Sequence, residues 1–268
     1  MSEHHLVALD ADHPGFRDPV YRRRRDAIAR QAVAHRTGEP VADVAYSDDE
    51  QGVWQAVWQV LHPLHVERVH PQVQRYQDAL ALRQGPIPQF SALNRDLAAT
   101  GFALEPVAGL VSPAEFLHAL ADGVFCATQY MRHASKPLYT PEPDVVHELV
   151  GHGAGLLHPE LARLNRAFGV ASLSADEAQM WRILRVYWWS IEFGLVREAD
   201  RVLAVGAGLL SSAGELAGAL DGPELLPWDL DVMAETPFDP SSQNAVLFVA
   251  PSWEAMVSQL AGWLEGMA

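Results

Sequence analysis

The chain has 268 residues, 49% of them hydrophobic, with 34 acidic against 19 basic residues and a formal charge of −15. That balance argues against nucleic acid and anionic membranes as partners, and no run approaches the roughly 20 apolar residues of a membrane helix. The start, MSEHHLVALDADHPGF, has neither a basic n-region nor an apolar h-region, so no signal peptide is expected. The single cysteine, Cys126, excludes an internal disulfide and suits a reducing cytoplasm. Length and composition fit one domain over residues 1–268, with residues 1–11 a flexible start.

Helix signals dominate in chain order. DPVYRRRRDAIARQAVAHR opens with Asp18 as N-cap and Pro19 at the first helical position. SDDEQGVWQAVWQVL begins with a capping box, Ser47 and Glu50, and then sets Trp54, Val57, Trp58 and Leu61 on one buried face. SPAEFLHALADG repeats the device with Ser112, Pro113 and Glu115. SADEAQMWRILRVYWWSIEFGLVRE reads as the longest helix, opened by Ser174 and Glu177. Short strands are expected at 102–107, 128–132 and 245–249, and loops at the Pro- and Gly-rich segments 85–89 and 221–240. The fold class that follows is mainly α with a few short β-strands, in a single domain.

The segment TPEPDVVHELVGH carries His147 and His152, five residues apart. A zinc-protease helix uses histidines four apart on one face. Five residues on an ideal helix turn the second side chain about 140° from the first. Both can reach one ion only if the helix ends or distorts between them, and Gly151 permits that. On spacing alone, a shared metal and two unrelated histidines both remain open. Glu192 adds a third donor: it sits in the apolar run YWWSIEFG, four residues after Trp188 and on the same face. A carboxylate there needs an ion partner or a metal. Two histidines, one carboxylate and no available cysteine fit the facial triad of non-haem Fe(II) oxygenases.

QYMRHASKPLYTPEPDVVHELVGH, YWWSIEFGL, GAGLLSSAGEL, DHPGFRDPVYRRRR and EPVAGLVSPAEF together closely resemble the pterin-dependent aromatic amino acid hydroxylases, from about Asp12 to the C-terminus. The resemblance is to the catalytic domain alone, as in bacterial phenylalanine hydroxylases, and implies a monomer. It implies Fe(II) on His147, His152 and Glu192, a tetrahydropterin as two-electron donor, and O2 as co-substrate. It places Arg132 on the substrate carboxylate, a task suited to a planar bidentate donor. Thr140 and Ser211 are implied at the amino-acid end, with Trp188, Leu110 and Cys126 around the ring pocket. The pterin is implied along Gly109, Leu110, Val111 and Ser112, packed on Phe116, with Glu148 and Tyr187 completing that side. Asp144 is expected to orient His147 from behind, and Arg25 and Glu142 to form a structural ion pair. The remaining histidines lack a partner set and are read as surface or satisfied core residues.

The sequence also departs from the family pattern. GHGAGLLHPEL, with Gly153, Ala154 and Gly155, replaces a proline-containing stretch and suggests a looser loop. Pro113 stands for a common serine, and ETPFDPSSQNAVLFV aligns poorly with the specificity loop. The implied activity is hydroxylation of a free aromatic L-amino acid, phenylalanine first, at the para or meta carbon. Tryptophan hydroxylation is the alternative within the class. A metal hydrolase with Zn(II) on the same ligands and Glu148 as base, and a non-catalytic metal- or pterin-binding module, are the alternatives outside it.

Overall fold

In the computed structural model, which describes residues 6–82, 85–240 and 242–268, helices form most of the chain and strands are four or five residues long. The N-terminal signals act as the sequence implies. Asp18 accepts from the Val20 and Tyr21 N–H groups at 2.8 and 3.0 Å and opens helix Pro19–Ala34. Ser47 and Glu50 close a reciprocal box at the start of Asp48–Arg68, whose Trp54, Val57, Trp58 and Leu61 are all buried. At 21 residues this helix, not the one after Ser174, is the longest described. Ser112 caps Pro113–Ala121 by accepting from Glu115 N–H, which is half of the expected box.

The segment after Ser174 differs most from expectation. SADEAQ contains two overlapping capping boxes, and the chain uses the second, Asp176 with Gln179. The preceding helix ends at Ser172, and Ser174 lies in the turn that Ala175 N–H closes onto the Ser172 carbonyl. The helix Glu177–Tyr187 then widens into a π-helical stretch, Trp188–Glu192, and ends. Leu195–Glu198 turns back as a strand paired antiparallel with Arg201–Ala204. These two join Val246–Ala250 and Glu224–Pro227 in a four-stranded sheet whose other pairings are parallel. The segment 221–240 is therefore not a loop: it holds the strand Glu224–Pro227 and the helix Leu230–Glu235, capped by Asp229.

A second, two-stranded parallel sheet pairs Ala103–Pro106 with Val124–Ala127 across the helix Pro113–Ala121. The expected strand at 128–132 is absent because two carboxylates and one backbone group of the segment 144–148 take the place of sheet partners. Thr128 N–H donates to Glu148, Arg132 N–H to Asp144, and the Tyr130 carbonyl accepts from Val145 N–H. The Gly153–Gly155 stretch is helical rather than a loose loop, running from the π-helical His147–Gly153 into Ala154–Leu157.

Residues 1–5 of the expected flexible start lie outside the described residues. Its remainder is held down: Leu6 and Val7 donate to Asp26, and Leu9 is buried. Arg25 and Glu142 form the expected ion pair at 3.0 Å, with the Arg25 guanidinium 3.3 Å over the Tyr130 ring. This pair ties the first helix to the segment leading into His147. No described helix is long and apolar enough to cross a membrane.

Candidate active site

Both segments that bear candidate metal ligands are π-helical. An i→i+5 winding brings residues five apart to about one full turn, which restores His147 and His152 to one side. Gly151 makes room for this: a Cβ there would lie 2.7 Å from the Ala207 carbonyl oxygen. Glu192 ends the second π-helical stretch, and Gly206 packs against its backbone so closely that a Cβ would meet the Glu192 carbonyl at 2.4 Å. The Gly151→Ala variant is expected to lose about 1–3 kcal/mol of stability through overpacking. It is also expected to bind metal at least about tenfold more weakly, because His152 follows directly. Denaturant unfolding and metal titration check the two effects.

His152 Nε2 lies 3.0 Å from His147 Nε2 and 3.0 Å from Glu192 Oε1, and His147 Nε2 lies 3.7 Å from Glu192 Oε2. Donors about 2.1 Å from one ion and at right angles to each other are about 3 Å apart, so the spacing fits one face of an octahedron. The hydrogen bonds assign the His147 tautomer. Ser211 has one hydroxyl proton and donates it to the Ala207 carbonyl at 2.8 Å. Its oxygen, 3.0 Å from His147 Nδ1, therefore accepts from Nδ1–H, which leaves Nε2 with a bare lone pair facing His152 and Glu192.

The charges agree with that assignment. Burial lowers the His147 pKa to about 4, so the ring is neutral at pH 7. Burial opposes ionisation of Glu192, but His152 and His147 outweigh it and hold the carboxyl below its usual range. For His152, burial is likewise outweighed by Glu192, and its pKa is raised. A proton on His152 Nε2 thus offsets the buried Glu192 charge, and a cation shared by the three donor atoms would do the same in its place.

The three residues form the floor of a cavity of about 490 Å³. Gly109, Leu110, Val111 and Phe116 line one wall, and Cys126, Glu148 and Tyr187 continue it. Trp188 also lines the cavity, stacked on Phe238 at 4.3 Å and donating from Nε1 to Asn244. Glu148 is buried and accepts from Thr128 N–H and Oγ1–H at 3.0 and 2.9 Å; burial pushes its pKa up to about 7. The Cys126 thiol is pushed up to about 11, by burial first. Phe116 stands edge-on to Phe125 and Tyr187, which fixes its ring.

Four expected site residues do not line this cavity. Arg132 is buried and clamped on Asp144, with Nε and Nη2 at 2.8 and 2.7 Å from the two carboxylate oxygens. Thr140 donates to the Glu142 carbonyl within its own turn, and Ser211 holds His147. The Ser112 hydroxyl is engaged as a helix cap. Asp144 accepts from the backbone N–H of His147 and not from its ring, so the ring is oriented by Ser211 instead.

Thr128, Phe238 and the helix face of Trp181, Leu184 and Arg185 belong to the site and escape a reading of the sequence for ligands. The signal for the last three is the helical spacing 181, 184, 185, 188. Most of the other described histidines have partners of their own: His65, for example, lies between Gln77 and the Leu210 carbonyl, whereas His35 Nε2 is buried without a hydrogen-bond partner among the described residues.

Several known proteins share this sequence and fold. The chain is 48% identical over 219 residues to the chloroplastic phenylalanine 4-monooxygenase of Chlamydomonas reinhardtii, covering 81% of this chain and 61% of that protein. It is 42% identical over 264 residues to the tyrosine 3-monooxygenase of Rattus norvegicus, covering 93% and 52%. It thus spans about half to three fifths of the length of these relatives. The crystal structure of phenylalanine hydroxylase from Chromobacterium violaceum with bound iron(III) and 7,8-dihydrobiopterin superposes with a TM-score of 0.77 at 27% identity, covering 88% and 89%. The family model of the biopterin-dependent aromatic amino acid hydroxylases matches residues 3–268, and the chain belongs to that family.

Proposed function

We propose that the chain is a monooxygenase that hydroxylates the ring of a free aromatic L-amino acid, L-phenylalanine first, using Fe(II), a tetrahydropterin and O2. The observation that carries the reading is the convergence of His147, His152 and Glu192 on the floor of an apolar cavity. Phenylalanine is favoured because the cavity wall beside the ligands is aromatic and apolar, Trp188 on Phe238 above all. Bound there, the iron and the reduced pterin supply oxygen activation and the two electrons that reduce the second oxygen atom.

In this reading His147, His152 and Glu192 would hold the metal where they line the cavity. Phe116 offers its ring to the pterin, beside the backbone of Gly109 to Val111. Glu148, with a pKa near 7, holds or releases a proton on the pterin side, and Thr128 fixes its carboxyl. Tyr187 closes that side; its hydroxyl donates to Asn165. Trp188 and Leu110 bound the ring pocket, while the half-buried Cys126 leaves space beside the ring.

Arg132 spends two of its five N–H donors on Asp144, and the other three have no hydrogen-bond partner among the described residues. Those three suit the substrate carboxylate. Thr140 and Ser211 act by positioning rather than by touching substrate. Ser211→Ala is accordingly expected to lower iron affinity about 10–100-fold, through the loss of the His147 Nδ1–H partner, with little change in fold. Iron titration alongside circular dichroism tests this.

The function is tested by offering phenylalanine, tyrosine and tryptophan separately with Fe(II) and tetrahydropterin in air and resolving the products. Conversion of phenylalanine to tyrosine is expected. Meta-tyrosine would assign the ring position to the Cys126 side, and a hydroxylated tryptophan would keep the chemistry and change the substrate. No oxygen insertion into any of the three by iron-loaded protein contradicts the proposal.

A further inference from the structure

The cavity continues outward past the residues used above. Helix Glu177–Tyr187 lays Arg185, Leu184 and Trp181 along the same wall as Trp188, at the spacing of one helix face. Eleven residues separate Trp181 from Glu192, roughly 16 Å at about 1.5 Å per residue. Trp181 is 45% exposed and Leu110 is 75% exposed, so both lie where the cavity meets solvent. Among the described residues, Arg185 is the only lysine or arginine that lines the cavity. Its Nη1 donates to the Ala234 carbonyl at 3.1 Å, and it makes no ion pair among the described residues. Its neighbour Arg182 is paired with both Asp231 and Glu235. In a chain of charge −15, an arginine left without a carboxylate on the wall of an apolar cavity is an anion receptor in waiting. A free indole one turn further out offers a stacking face.

Neither the hydroxylated alkyl substituent of biopterin nor an aromatic amino-acid side chain calls for a guanidinium. We propose that Trp181 and Arg185 form an outer subsite for a reduced pterin whose substituent carries an aryl ring and a carboxylate, as in the folates. The ring packs on Trp181, and the carboxylate takes the fork of Arg185. This rests on the placement of the pterin in the same cavity. The same guanidinium would also attract the carboxylate of the amino-acid substrate, and the test separates the two sources.

Anaerobic calorimetry on the iron-loaded protein would compare 7,8-dihydrofolate, 7,8-dihydrobiopterin and L-phenylalanine. The variants are Trp181→Ala and Arg185→Gln, the latter keeping a donor for the Ala234 carbonyl. The wild type is expected to bind dihydrofolate at least about tenfold more tightly than dihydrobiopterin. Each variant is expected to lose about tenfold for dihydrofolate and under about twofold for the other two ligands. Arg185→Gln should also flatten the salt dependence of dihydrofolate binding. Equal affinity of the wild type for both pterins, equal losses for both in the variants, or a loss confined to phenylalanine overturns the subsite. If the wild type binds neither pterin, the placement of the pterin itself fails, and the subsite with it.

Discussion

Glu192→Ala is expected to bind iron more than about 100-fold more weakly than the wild type and to turn over at least about 1000-fold more slowly. Loss of residues that only orient a ligand costs 10–100-fold in metal affinity, and Glu192 would donate directly. The carboxylate is also the only negative group of the three, so its removal leaves two neutral imidazoles to hold a dication. Metal content after dialysis and single-turnover rates measure the two effects, with circular dichroism as the control for fold. Glu192→Gln keeps the volume and removes the charge, and is expected to behave nearly as badly. Retention of stoichiometric iron by either variant contradicts the ligand assignment.

Asp144→Ala is expected to be the most destabilising single change near the site. The carboxylate is fully buried and accepts from the Arg132 backbone, from Nε and Nη2 of the same arginine, and from the His147 backbone. Removing it leaves the buried Arg132 guanidinium uncompensated, which costs about 3–5 kcal/mol. At roughly 2–4 °C per kcal/mol for a chain of this size, Tm falls by about 6–20 °C. The double variant Arg132→Leu, Asp144→Leu removes both charges and is expected to recover much of that loss, since a buried pair replaced by apolar side chains is often neutral. A double variant as unstable as the single one would show that the loss comes from the backbone contacts and not from the stranded charge. Calorimetric or denaturant melts of the three proteins decide between these.

Most of the residues that line the cavity were readable as candidates before the fold was known, because chemistry limits residue type. His147, His152 and Glu192 are unusual in their setting, and their grouping follows once a helical distortion at Gly151 is allowed. The caps at Asp18 and Ser47 were readable for a similar reason, since each depends on residues within three positions.

What escaped depends on distant partners. The strand expected at 128–132 gives way to Glu148 and Asp144, which lie 20 and 12 residues away from the N–H groups they take. The helix read through to Glu198 ends at Glu192, where Gly194 and Gly206 let the chain fold back on itself. Ser211, expected at the substrate's amino-acid end, is found bonded to His147 and to the Ala207 carbonyl, a pairing that no spacing rule contains. Arg185 was invisible as a site residue until the cavity showed which face of its helix is open.

The proposed reaction inserts an oxygen atom from O2 into an aromatic amino acid. The most direct measurement is turnover of L-phenylalanine under ¹⁸O2 in ordinary water, with Fe(II) and a tetrahydropterin. One ¹⁸O atom is expected in each hydroxylated product molecule, with one pterin oxidised for each. A hydroxylated product that carries only ¹⁶O from water, or pterin oxidation with no labelled amino acid, would contradict it.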